Sequence, residues 1–271
     1  MINKSEREST DALEIGGIVY LPGKRPIGFY IIFSVEALFE VGVLKKILTI
    51  FENYRRPIVN LHVSTTSIDE PPKAYIVVDM HGSEDKVGII KREIQEINFV
   101  EKVEVFNPLF DGLLASLPTE ILSMAGSRCI IFRKPVYEAF IKSVQNIFGL
   151  GGAAILYHLG IVLGRGSFRD HKKMAGNDRR LLLSIVEHYF RAAGYGILEI
   201  KKIDENEGKA TLRVYKNFEC ELHKGSNKPK SQYTRGILAG WFQEFFGRKN
   251  LKILETRCIA RGDPYCEYEI F

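Results

Sequence analysis

Residues 143–163 contain no Asp, Glu, Lys or Arg, and this apolar stretch constrains the fold of the 271-residue chain more than any other feature. It is nearly long enough to cross a bilayer, and Gly160 and Gly164 form a GxxxG pair. However, Asn146 and His158 interrupt it, and the chain has no second segment of this kind. We therefore predict a helix buried on all sides in a domain core, whose small residues let backbones pack closely within the domain or across a dimer.

Length and composition bound the class of protein. With 45% hydrophobic residues, the chain can bury one large core or two ordinary ones, and we expect two domains. The formal net charge of +5 is mild and does not by itself indicate nucleic acid. The polar start, MINKSEREST, predicts a cytoplasmic protein, and in that compartment the four cysteines are expected to be thiols or metal ligands rather than disulfides.

The first half of the chain alternates short strand and helix patterns in the order βαββαβ. We predict strands at 29–35, 58–65, 74–80 and 100–106, and helices at 41–54 and 83–97, the second capped by Ser83. This order predicts a ferredoxin-like sandwich in which two helices cover one antiparallel sheet.

The joint between the first strand and the first helix, EVGVLKKI at residues 40–47, resembles the corresponding turn of ACT domains, with Val41 in place of the usual proline. The resemblance covers residues 28–107. It implies a regulatory module that binds an amino acid or a partner subunit near Gly42 and Val43. Alternatively, Gly42 only permits the turn from strand to helix.

The end of the chain, LKILETRCIARGDPYCEYEIF, predicts a hairpin that turns at residues 261–264 and brings Glu255, Cys258 and Cys266 together. If the loop is three residues long, the two cysteines lie directly opposite each other. Three alternatives remain open: a cross-strand disulfide, half of a metal site, or two buried thiols packed as small apolar groups.

The segment ETRCIARGDPYCEYEI resembles the end of 4-vinyl reductase (4VR) domains, which carry Glu-x-x-Cys, a Gly-Asp turn and a second Cys. The helix start GILAG at 236–240 and the glycine-rich helix around 148–160 follow in the expected order, so the resemblance covers residues 128–271. It implies the small-molecule sensor module of bacterial activators that respond to aromatics. It also implies a fold similar to that of the transport-particle subunits of vesicle tethering.

The same resemblance implies a structural zinc site. Three of its ligand positions are matched by Glu255, Cys258 and Cys266. At the fourth, where the family has a cysteine, this chain has Ser231, and Cys220 or His223 can substitute. Residues three apart on a regular strand face opposite sides, so Glu255 and Cys258 can share a metal only across a bulge. The alternative is a set of buried thiols with Glu255 in a polar network.

A ligand pocket in this domain would be lined by aromatic residues, and we predict Tyr157, His158, Trp241 and Phe245 as binding residues. At helical spacing these are core residues first and a ligand cage second. The basic run at 165–180 either contacts phosphates or is a solvated surface, and the polar segment 222–232 can act as a lid. No catalytic motif is present, and we do not expect an enzyme.

The predicted architecture is α+β with an N-terminal extension (1–27), an ACT-like ferredoxin-like domain (28–107), a docked connector (108–127) and a 4VR-type domain (128–271). The predicted function is a cytosolic, homodimeric sensor that binds a small hydrophobic or aromatic molecule and signals through its N-terminal or dimer surfaces, with a role in transcription regulation. The alternative is a non-catalytic scaffold with a structural apolar cavity. We expect no membrane partner, and a nucleic acid partner has no motif in its favour.

Overall fold

The computed structural model describes residues 17–65, 67–116 and 121–271. The chain forms two compact units, Met1–Ile130 and Ile131–Phe271. Each unit has its own buried core, and the chemistry-bearing residues of interest lie in the second.

The N-terminal unit contains an antiparallel sheet in the order β3-β4-β2-β5, with two helices on one face. Its elements are β1 (Ile18–Tyr20), β2 (Pro26–Phe33), α1 (Val43–Asn53), β3 (Ile58–Ser64), β4 (Lys73–Asp79), α2 (Val87–Gln95), β5 (Val100–Phe106), β6 (Leu113–Ala115), β7 (Leu122–Met124) and β8 (Ser127–Cys129). From β2 to β5 this is the ferredoxin-like order predicted from the sequence. Its specific identity as an ACT domain stays a prediction.

Apolar periodicity explains the packing of α1. Val43, Ile47, Ile50 and Phe51 recur at helical spacing and are buried against the sheet, where Phe51 meets Phe29 edge to face. Gly42 precedes the helix with φ of 100°, a conformation that side chains rarely adopt. Ser83 lies before a short 3₁₀ turn that leads into α2, but its side chain makes no capping hydrogen bond.

The segment predicted as a docked connector begins on the opposite face of this sheet. Strand β6 pairs with β1, and Leu114 is buried against Tyr30, Tyr75 and Val77. Leu109 and Phe110, which were expected to pack, are exposed. Leu117 and residues 1–16 of the predicted extension lie outside the described residues.

The C-terminal unit packs helices against a second antiparallel sheet in the order β11-β12-β10-β9. Its elements are α3 (Lys134–Ala175), α4 (Arg179–Ala192), β9 (Ile197–Asp204), β10 (Lys209–Tyr215), α5 (Phe218–Glu221), α6 (Gln232–Phe246), β11 (Ile253–Arg257) and β12 (Cys266–Ile270). The predicted cap of α4 is present, because the Asp178 side chain accepts a hydrogen bond from the Leu181 amide.

Glycines allow α3 and α6 to lie backbone against backbone. A Cβ on Gly164 would lie 2.0 Å from the Ile237 carbonyl oxygen, and one on Gly160 would lie 2.4 Å from the Tyr233 carbonyl oxygen. From the other helix, a Cβ on Gly240 would lie 2.1 Å from the Ile161 carbonyl oxygen. The predicted close approach of small residues therefore occurs within the domain.

The prediction that this apolar helix is buried on all sides is wrong. One face of α3 points to solvent, and Leu150 and Val162 are 93% and 66% exposed. The helix breaks at Gly149, whose φ and ψ are 52° and −125°. Among the described residues, α3 is the one helix with the length and composition to cross a membrane, and 22% of its most apolar window is buried.

Candidate metal centre and ligand cleft

Three cysteines and one glutamate converge inside the C-terminal unit. Cys220 lies on α5, Glu255 lies on β11, Cys258 follows that strand, and Cys266 begins β12. The ligand atoms of all four side chains lie within 4.8 Å of one another. The structure thus brings together the four residues predicted as metal ligands.

A bulge in β11 makes this convergence possible. Glu255 pairs with Tyr268 and Arg257 pairs with Glu267, so one extra residue is inserted opposite β12. The irregularity removes the strict alternation of sides, and the Glu255 and Cys258 ligand atoms reach the same cluster.

The terminal turn is longer than a three-residue hairpin loop. Cys266 pairs with Val214 of β10, and Cys258 lies beyond the end of its strand, so the two cysteines are not directly opposite in the ladder. The Asp263 carboxylate fixes this turn by accepting a hydrogen bond from the Cys258 amide at 2.8 Å. The Ile259 amide lies 3.4 Å from the Cys266 sulfur, which holds that thiol beside the turn.

The electrostatics of the cluster favour a bound cation. Cys220, Cys258 and Cys266 are buried free thiols, and the Sγ atoms of Cys220 and Cys258 are 3.5 Å apart. The adjacent thiols of Cys220 and Cys266 hold the pKa of Cys258 well below its usual range. Glu255 is 9% exposed, and burial raises its pKa to about 8.

One oxygen of Glu255, Oε1, is buried without a hydrogen-bond partner among the described residues. A buried carboxylate oxygen in this condition is costly unless a cation or donor meets it. Three sulfur ligands and one carboxylate oxygen form a four-ligand set that suits tetrahedral Zn²⁺. The residues therefore fit the metal that the resemblance implies.

Ser231 occupies the position where the family pattern has its fourth ligand. It is buried, and its hydroxyl oxygen has no hydrogen-bond partner in the described part of the chain. Cys220, from the preceding helix, completes the cluster in its place. His223, the other candidate substitute, is not a member, and burial lowers its pKa.

A buried polar network beside the cluster escaped the sequence analysis. Asn217 caps α5, accepts a hydrogen bond from the Thr234 hydroxyl and donates one to the Tyr268 hydroxyl at 3.1 Å. The Glu219 carboxylate accepts hydrogen bonds from the Tyr233 and Thr234 amides at the start of α6. The N-cap preference of asparagine was the only available signal, because the partners lie far apart in sequence.

The residues predicted to bind a small ligand occupy separate places. Trp241 and Phe245 are fully buried and stacked with ring centroids 5.4 Å apart, and the Trp241 indole N–H donates to His171 Nδ1. His158 is on the exposed face of α3. Tyr157 points instead to a cleft.

That cleft has a volume of about 390 Å³ and lies between α3, α6 and the edge strand β11. Tyr157 and Arg235 line its helical side, with the guanidinium 4.9 Å from the ring centroid. In the N-terminal unit, Gly42 has open space around its Cβ position, and Val43 is buried in the core.

The basic run makes contacts within its own unit. Arg165 donates to the Gln243 side-chain oxygen at 2.8 Å. Arg179 pairs with Glu205, and its guanidinium lies 4.0 Å from the Phe245 ring centroid. These contacts account for two of its cations without a phosphate partner.

Comparisons with known proteins identify the C-terminal fold. The vinyl-4-reductase (4VR) domain family matches residues 210–270, a range that contains all four members of the cluster, and this confirms the 4VR-type domain. The uncharacterized protein MJ0150 of Methanocaldococcus jannaschii is 31% identical over 120 residues, which are 44% of this chain. The match spans 65% of the length of MJ0150.

Two solved structures show lower similarity. The phenol-responsive sensory domain of the transcription activator PoxR, solved with phenol, has a TM-score of 0.48 and 17% identity, covering 55% of this chain and 78% of that one. A vinyl-4-reductase family protein from Methanocaldococcus jannaschii has a TM-score of 0.32 and 18% identity, covering 53% and 98%.

Proposed function

We propose that this protein is a non-enzymatic small-molecule sensor whose C-terminal unit is held together by a structural zinc ion. The observation that carries the proposal is the convergence of Cys220, Glu255, Cys258 and Cys266 inside the segment that matches the 4VR domain family. We infer a regulatory role in the cytoplasm, with transcription regulation as the output class.

The proposed zinc ion would act as a crosslink. Its four protein ligands would tie α5 to the last two strands, and a complete four-residue set is typical of structural rather than catalytic zinc. The bulge at Glu255, the Asp263 turn and the buried Asn217 network hold these side chains in place. When bound, the metal supplies folding free energy to the unit.

Ligand binding is supported by the cleft beside Tyr157. Its volume falls in the range of small-molecule sites, which is about 300–1,000 Å³. A ligand there would contact α3, α6 and β11 together, so binding would bias how these elements pack. A separate amino-acid site at Gly42 and Val43 remains part of the proposal for the N-terminal unit.

We propose that the active form is a homodimer that uses the exposed face of α3. Apolar side chains recur there at spacings of four, and residues 143–164 carry no charge to oppose self-association. A second copy offers the same apolar surface, as two-fold pairing requires. The stripe consists of Leu150, Ile155, Leu159, Val162 and Leu163.

A scaffold without a ligand is the second candidate, and one observation favours it. Trp241 and Phe245 fill the centre of the C-terminal unit with their own packing. If the protein is a scaffold, its thermal stability will not respond to small molecules but will respond to a protein partner.

Thermal unfolding of the zinc-loaded protein against a panel of phenols, aromatic acids, aliphatic acids and amino acids tests the sensor function. We expect at least one apolar class to raise Tm with a concentration dependence that follows mass action. A Tm that ignores every compound at millimolar concentration would contradict the sensor and favour the scaffold.

A further inference from the structure

The Tyr157 cleft combines an apolar lining with two positively charged side chains. Arg235 extends from α6, and Lys252 immediately precedes β11. Leu251, Ile253 and Leu254 supply the apolar part of the lining. The lining contains no Asp or Glu side chain.

Neither cation is neutralised by the protein. Among the residues that the structure describes, no carboxylate lies within the 4.0 Å ion-pair distance of Arg235 or Lys252. The Arg235 guanidinium donates one hydrogen bond to the Gln232 side-chain oxygen and covers the Tyr157 ring. Its Nε is buried and has no partner in the described part of the chain.

A buried guanidinium N–H without an acceptor is unusual in a folded protein, because the lost hydration is not replaced. A planar guanidinium matches the two oxygens of a carboxylate, and Lys252 adds a second charge at the same cleft. The Tyr157 hydroxyl also has no hydrogen-bond partner among the described residues and can donate to an oxygen acceptor.

We propose that the cleft binds an apolar molecule that carries one carboxylate. Arg235 and Lys252 hold the carboxylate, and the aliphatic side chains of the β11 edge cover the apolar body. The inference deepens the proposed sensor function and rests on it, since it names the ligand class of that site. It excludes neutral and cationic apolar molecules as preferred ligands.

Isothermal titration calorimetry on the full-length protein tests this with octanoate and 1-octanol, which share an alkyl chain and differ in the charged head. We expect octanoate to bind at least tenfold more tightly than 1-octanol. Arg235→Gln should weaken octanoate binding at least tenfold and leave 1-octanol unchanged. Lys252→Gln should reduce octanoate affinity severalfold, and because Lys252 is exposed this variant keeps the fold.

Arg169→Gln is the matched control, because Arg169 is an exposed cation on α3 outside the cleft, and its octanoate affinity should equal that of the parent protein. Equal binding of the two probes, or octanoate binding that survives both cleft substitutions, would overturn the carboxylate site while leaving a sensor for neutral molecules. Binding of neither octanoate nor any compound of the thermal panel would overturn the sensor function as well.

Discussion

The two units of this chain use different means to fix their structures. The N-terminal unit is held by apolar contacts between two helices and one sheet, and its described residues contain no group of three potential metal ligands. The C-terminal unit combines an apolar core with a buried set of thiols and a carboxylate at one end of its sheet. The comparison teaches that one unit depends on side-chain volume and the other additionally on coordination chemistry.

Removing one ligand should give the largest effect and confine it to the C-terminal unit. Cys258→Ser should abolish zinc retention and destabilise that unit by more than about 4 kcal/mol, because the remaining thiols and Glu255 stay buried without their cation. Elemental analysis and hydrogen exchange of β10 and β12 measure both effects. Cys129→Ser, at a half-buried thiol in the N-terminal unit, should change neither. Full zinc content in Cys258→Ser would break the comparison.

A large core truncation should do the reverse. Phe51→Ala should destabilise the N-terminal unit by about 3–5 kcal/mol, because it leaves a cavity under the sheet beside Phe29. Zinc content should stay at one ion per chain. Chemical denaturation followed by hydrogen exchange in β2 and β4 locates the loss. Zinc loss in this variant would show that the two units do not fold independently.

The α3 and α6 contact isolates the purely apolar part of the C-terminal unit. Gly164→Ala should cost about 1–3 kcal/mol, because its Cβ would overlap the Ile237 carbonyl and force the helices apart. Gly166→Ala is a strict control, since a Cβ there has open space and helix propensity favours alanine by about 1 kcal/mol. Urea denaturation compares the two variants, and equal stability would contradict the close helix contact.

The smallest expected effect is a pH dependence at His171. Burial lowers the pKa of this residue below 6.5, and its Nδ1 accepts the Trp241 hydrogen bond only when that nitrogen is unprotonated. The unfolded chain therefore binds the proton more readily, so the contribution is complete above about pH 6.5 and is lost as pH falls below it. The Tm of His171→Gln should decline less between pH 7 and pH 5 than that of the parent. Parallel declines would contradict this assignment.

The sequence predicted the scaffold of the N-terminal unit because local periodicity determines it. The order βαββαβ and the bounds of β5 follow from alternating and helical apolar patterns. The C-terminal fold followed from the resemblance to the 4VR family, and the match of that family to residues 210–270 confirms the assignment.

The parts that were missed depend on contacts between distant residues. The exposed face of α3 has the same composition as its buried face, so hydropathy could not separate Leu150 from Leu156. The separation of Trp241 from Tyr157 reflects the direction in which each helix turns its side chains. The proximity of Cys220 to the terminal cysteines depends on how α5 packs against the final turn, and sequence spacing carries no record of that contact.

Native mass spectrometry of the full-length protein, purified from zinc-supplemented cells and measured before and after a zinc chelator, tests the central claim most directly. The account predicts one zinc ion per chain, its loss on chelation, and a parallel loss of hydrogen-exchange protection in β10 and β12 but not in β2 and β4. A metal-free chain with full protection of β10 and β12 would contradict it.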